Sequence, residues 1–175
     1  MSRILNMLAK ALPKLWSDGG PRQTAQVEVT KGELIDDVER MQNYGMTSHP
    51  PVAGTDCLMV FLGGNREQGV IIAAENRQFR LKGLKSGEVA LYDDLGNVVK
   101  LGRENIEVIA VTKLAASAPI VEVNAATSAS IISGASSITI TPSGIELVSA
   151  SLTHNGKNIG ATHYHVGSPP DRVPA

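Results

Sequence analysis

The chain has 175 residues, enough for one good core or for a small domain with an extended part. Aromatic residues make up only 3%, so any core must be built from Val, Ile, Leu and Ala, and a formal net charge of −1 gives no electrostatic footprint for nucleic acid. The single cysteine, Cys57, excludes an intrachain disulfide, and no apolar run approaches the roughly 20 residues of a membrane-spanning helix.

Residues 1–16 place Ile4, Leu5, Leu8, Leu12, Leu15 and Trp16 at helical spacing with Arg3, Lys10 and Lys14 between them, which predicts a short N-terminal α-helix. Lys10 interrupts the apolar stretch and no small-residue cleavage site follows, so a secretory signal is not expected. The helix would dock its apolar face on a partner or a neighbouring subunit, with a surface-lying membrane helix as the alternative. Ser17-Asp18-Gly19-Gly20-Pro21 then breaks it, giving a first segment of helix and hinge over 1–21.

Residues 22–113 have the composition of a folded domain. Thr24 to Thr30 alternates as a first strand, and Asp36 to Met41 is read as a second because Asn43-Tyr44-Gly45 follows as a turn. Cys57 to Leu62 and Gly69 to Ala74 are apolar runs joined through Gly63-Gly64-Asn65-Arg66, the pattern of a buried hairpin. Cys57 itself is read as a core residue. Glu88 to Tyr92 and Val98 to Leu101 flank the turn at Asp93-Asp94-Leu95-Gly96-Asn97, and Ile106 to Val111 closes the set. Five or six short strands in this span predict a small closed barrel such as an OB-fold. Oligonucleotide binding is not expected of it. The barrel offers only Tyr44, Phe61, Phe79 and Tyr92 as stacking platforms, and Arg77, Arg80, Lys82 and Lys85 read as a solvated loop. Gly63-Gly64-Asn65 lacks the spacing of a phosphate loop, and no nucleophile-base arrangement can be read from spacing, so no enzyme is predicted.

Residues 114–160 change character: Ser, Thr, Ala, Ile and Val dominate and there are no aromatics. Val121 to Ala125, Ser137 to Thr141 and Ile145 to Leu147 alternate with period two, closed by turns at Ser133-Gly134 and Pro142-Ser143-Gly144. One copy buries too little apolar area to offset the ordering of its backbone. Three copies wound about a common axis would face each aliphatic row inward and pair the open edges, which predicts a trimeric triple-stranded β-helix. In 161–175, His163 and His165 stand at i and i+2, on one side of a strand. On spacing alone they fit an exposed, unliganded pair. About a threefold axis they would present six imidazoles, a set suited to an octahedral cation such as iron(II). A single-chain site would need a third ligand, for which only Asp171 follows. His49, beside Pro50-Pro51, and His154, before Asn155-Gly156, read as loop and turn residues.

Glu39-Arg40, Tyr44-Gly45, Phe61-Leu62-Gly63-Gly64-Asn65-Arg66, Gly69-Val70-Ile71-Ile72-Ala73 and the run from Gly87 to Asn97 resemble the central spike proteins of Mu-like contractile phage baseplates, the baseplate assembly protein V group. The resemblance covers most of 38–101. It implies a homotrimer with an OB-fold collar, a triple-stranded β-helix and an apex where His163 and His165 hold an iron ion. It further implies a place in the virion tail baseplate after assembly in the host cytoplasm, contact with tail hub or tube proteins, and mechanical puncture of the host outer membrane. No lysozyme-like insertion interrupts the barrel, so wall hydrolysis is not implied. The alternative class is a trimeric tail-fibre-like receptor or carbohydrate-binding protein. It is disfavoured by a shaft with no aromatics and with Glu122 and Glu146 as its only carboxylates.

Overall fold

The computed structural model describes residues 7–160 and Thr162, and it divides the chain into two compact units, Met1–Ala115 and Ala116–Ala175. The first unit opens with β1 (Leu8–Ser17), β2 (Gln23–Thr30), β3 (Glu33–Arg40), β4 (Thr55–Phe61) and β5 (Gly69–Asn76). These close a five-stranded barrel in the order β1-β2-β3-β5-β4, with β4 pairing back onto β1. Only the β3–β5 pairing is parallel; β1–β2, β2–β3, β4–β5 and β1–β4 are antiparallel.

Alternation fills the barrel. Ala25 and Val27 of β2 point inward beside Cys57, Met59 and Phe61 of β4, and Val38, Ile71, Ala11 and Trp16 complete the core. Each fully buried Val, Ile, Met or Phe side chain contributes about 1.5–3 kcal/mol. Between β4 and β5 a single 3₁₀ turn at Leu62–Gly64 reverses the chain. Gly63 and Gly64 adopt φ of 62° and 73°, a left-handed pair open to glycine and costly for other residues. Asp36 and Asp37 lie inside β3, at a register shift against β2 where Asp37 takes φ 55°.

The N-terminal helix expected over 1–16 is not formed by the described part of that segment. Leu8–Ser17 is a barrel strand, paired Leu12 to Glu28 and Trp16 to Ala25 on one side and Ala11 to Cys57 on the other. The apolar spacing misled because the strand buries Ala11, Pro13 and Trp16, half-buries Ala9, and leaves Leu8, Leu12 and Leu15 outside. Pro13, tolerated at the bulge in β1, would have broken a helix interior. Of the stretch expected as a hinge, Ser17 ends β1 opposite Thr24, and Asp18 to Pro21 lie exposed in the β1–β2 connection.

The strands after residue 76 do not enter the barrel. β6 (Val89–Tyr92), β7 (Val98–Leu101) and β8 (Ile106–Ile109) form a separate antiparallel meander in the order β6-β7-β8. Its first turn is fixed by Asp93, whose Oδ1 accepts the N–H groups of Leu95 and Asn97, while Asn97 Oδ1 accepts Val111 N–H at 2.9 Å. The Asn97 side-chain amide, followed by backbone N–H groups, holds the Asp93 carboxyl below its ordinary range.

In the second unit, β9 (Ala129–Ser133), β10 (Ser136–Thr141) and β11 (Gly144–Val148) form another antiparallel meander, followed by the hairpin β12 (Thr153–His154) and β13 (Lys157–Asn158). His154 closes β12 at a two-residue turn in which Asn155 and Gly156 take φ of 47° and 74°. The expected strand at Val121 to Ala125 is not paired among the described residues. The β9–β10 and β10–β11 ladders pair inside one chain. Triple-stranded winding is not seen in one copy.

Candidate functional site

The second unit contains no buried residue among those described. Its meander is nonetheless strongly two-sided. Ile138 of β10 stands between Ile131 of β9 and Leu147 of β11, and Ile140 stands between Ala129 and Ile145. Those six residues share one face and carry no polar atom beyond the backbone. The opposite face alternates Ser130, Thr139 and Glu146 with Ile132, Ser137 and Val148. Ile131 is 72% exposed and Ile145 69%, so the aliphatic face of the isolated chain lies in water.

The β6–β8 meander is built the same way. Val89, Leu101 and Ile106 form one cross-strand row and Leu91, Val99 and Val108 the next, all on one face and all exposed. Its other face carries Lys100 opposite Glu107, with Lys100 Nζ 3.5 Å from Glu88 Oε2. Contiguous aliphatic faces of this kind mark a surface that another polypeptide covers. Both meanders end in strands with an open edge, a second feature that neighbouring chains satisfy. The β9 strand and the aliphatic face of β6–β8 were missed in the sequence. The signal was present: Ile131 alternates with Ser130, and Val89/Leu91, Val99/Leu101 and Ile106/Val108 each recur at i and i+2.

Other sequence candidates resolve differently. Phe61 is fully buried and so cannot serve as a stacking platform, and Arg77 pairs with Asp56 at 3.4 Å. Cys57 is buried and desolvation pushes its thiol up to about 11, which keeps it protonated at neutral pH. His163 and His165 lie outside the described residues, as does Asp171. Among the described residues no group of three or more His, Cys, Asp or Glu is placed to hold a metal ion. The donor chemistry still bears on the iron expectation: the pair His163 and His165 supplies two imidazoles per chain, so a six-nitrogen site built from it requires three chains.

Residues 13–78, nearly the whole barrel, match the family described as Bacteriophage Mu Gp45, N-terminal. Over its barrel, the chain is therefore similar to the N-terminal region of that phage family. The "Baseplate puncturing device gp45" of Escherichia phage Mu is 35% identical over 104 residues, which cover 59% of this chain and 52% of that protein. The "Mu-like prophage FluMu protein gp45" of Haemophilus influenzae is 33% identical over 103 residues, covering 59% and 55%. The chain spans about half the length of the curated relatives it matches.

Proposed function

We propose that this chain is the central spike of a contractile-tail baseplate, a mechanical rather than enzymatic part of the virion tail. Three copies assemble; the barrels form the collar that meets the tail hub or tube, and residues 114–160 form the shaft. His163 and His165 of the three chains gather at the apex, where they would hold an iron ion that cross-links the end most prone to fraying. On sheath contraction the needle is driven through the host outer membrane. The observation that carries this reading is the aliphatic face of β9–β11, which no described part of its own chain buries. A homotypic partner fits that face because a surface without charge offers nothing by which a distinct partner could be selected. The similarity to a relative whose name is a puncturing device supplies the baseplate setting.

Sedimentation equilibrium tests the assembly. The expected mass is three times that of the 18.4 kDa chain, independent of concentration over the micromolar range. A protein that sediments at the mass of one chain would overturn the reading, because residues 114–160 bury no side chain in a single copy.

A further inference from the structure

Arg40 ends β3 at the mouth of the barrel, and all its hydrogen-bond acceptors are neutral. Its Nη1 donates to Gln23 Oε1 and to the Ser48 carbonyl, each at 2.7 Å, and its Nη2 donates to Ser48 Oγ at 2.9 Å. Among the described residues no carboxylate forms an ion pair with it. Asp18 is held instead by Gln23 Nε2 at 2.7 Å. A guanidinium has five N–H donors, so two remain. Ser48 bridges Nη1 and Nη2 and thereby takes the end of the fork, and Gln23 takes the outer Nη1 hydrogen. The two left over are the Nε–H and the second Nη2–H, neighbours along one edge. That edge is one that grips a carboxylate with two parallel bonds.

The surroundings are built to match. Arg40 lines a cavity of about 240 Å³ together with Met41, Met46, Ile72, Ala73 and Gln42. Gln42 stiffens the rim, accepting Ser48 N–H at 2.8 Å and donating to Thr47 Oγ1 at 3.3 Å. Beneath the guanidinium, 5.6 Å from its carbon, lies the Trp16 ring, whose Nε1–H is buried without an acceptor. A half-buried cation that feels the Asp18 carboxylate only from beyond ion-pair distance, one free bidentate edge and a mixed wall in which Met41, Met46 and Ile72 stand beside Asn43 and Thr47 make an incomplete site. We propose that the Arg40 cavity binds a peptide carboxylate flanked by an aliphatic side chain, presented by another protein of the assembly. This goes beyond the spike reading and does not depend on the shaft.

Trp16 is the sole tryptophan of the chain, so its emission reports on the cavity. The full-length protein is titrated at constant ionic strength with N-acetyl-Ala-Leu as free acid, with its C-terminal amide, and with acetate. The expected result is a saturable change with the free acid and at least about tenfold weaker binding of the amide and of acetate. Arg40→Gln should abolish the response, and Arg40→Lys should weaken it, because an ammonium lacks the planar fork. Equal binding of acid and amide, acetate binding as tightly as the peptide, a response retained in a folded R40Q, or no saturable change would each overturn the proposal. If R40Q fails to fold, the comparison of acid with amide on the unaltered protein decides.

Discussion

Phe61 is where the barrel's packing and its surface electrostatics meet. The ring is fully buried at the end of β4, and the Arg66 guanidinium lies 4.9 Å from its centroid while also gripping Glu33 through Nε and Nη2 at 2.8 and 2.6 Å. Phe61→Ala should lower barrel stability by about 3–5 kcal/mol in a urea titration, through lost transfer free energy and a residual cavity. Gly69 faces the same ring across the hairpin; a Cβ there would stand 2.9 Å from Met59 Cε and 3.1 Å from Phe61 Cε1. Gly69→Ala should cost about 1–3 kcal/mol by overpacking, and the double variant with Phe61→Leu should cost less than the sum of the two singles. Glu33 adds a pH dependence. The Arg66 hydrogen bond, and after it that of Thr30, lowers its pKa from the model-peptide value of 4.5, as hydrogen bonds lower those of Glu28, Glu88 and Asp93. A carboxylate whose pKa is depressed by folding stabilises above its unfolded pKa and loses that contribution as pH falls through the folded value. Thermal melts should therefore hold level from pH 7 to about 5 and fall below about 4.5, with a smaller fall in Glu33→Gln. An unchanged acid profile in that variant would remove Glu33 from the account. Core residues of this kind were legible in the sequence where alternation was clean: Cys57, within an apolar run, is buried where expected.

At the scale of elements, the sequence was readable wherever one strand face was buried and obscure where the sheet faced water or the strand ran against its own composition. The strands β2 to β5 follow the expected positions closely because Val27, Val38, Met59 and Ile71 alternate with polar or half-exposed neighbours. The first strand was hidden by large leucines on its outside and alanines within; Pro13 was the overlooked sign against a helix. The boundary between barrel and meander could not be read, since Val89 to Ile109 has the same strand-and-turn chemistry as the barrel and differs only in which surface covers it. The aliphatic faces can be tested directly. Ile138→Asp and Ile140→Asp place a charge between aliphatic cross-strand neighbours and should dissociate the assembly to a species of chain mass, with the Trp16 emission of the barrel unchanged. Thr139→Asp, on the opposite face, should leave the sedimentation mass intact. Equal effects from both substitutions would show that the aliphatic face is not the contact.

For the whole molecule, the two units differ in how they can be stable. The first contains every buried hydrophobic residue of the described chain, and the second contributes none, so the barrel half should fold as an isolated chain while the shaft half should not. The proposed apex follows the same logic one step further. A strand pair as short as β12 and β13, two residues each, has little backbone to hold it, and the residues that follow include His163 and His165. A metal shared by three chains would bind the assembled form and not the separated chains, so it would raise the melting temperature by mass action. Imidazole must be neutral to act as a ligand, so this stabilisation should be full above about pH 7.5 and lost as pH falls through about 6.5. The expected outcome is iron at one atom per three chains by elemental analysis, with a chelator lowering the assembly melt at pH 7.5 and having no effect at pH 5. His163→Ala with His165→Ala should melt at the chelated temperature under both conditions. A wild-type protein that carries no metal, or whose melt ignores the chelator at pH 7.5, would leave the histidine pair as surface residues and place the whole resistance to fraying on the aliphatic faces.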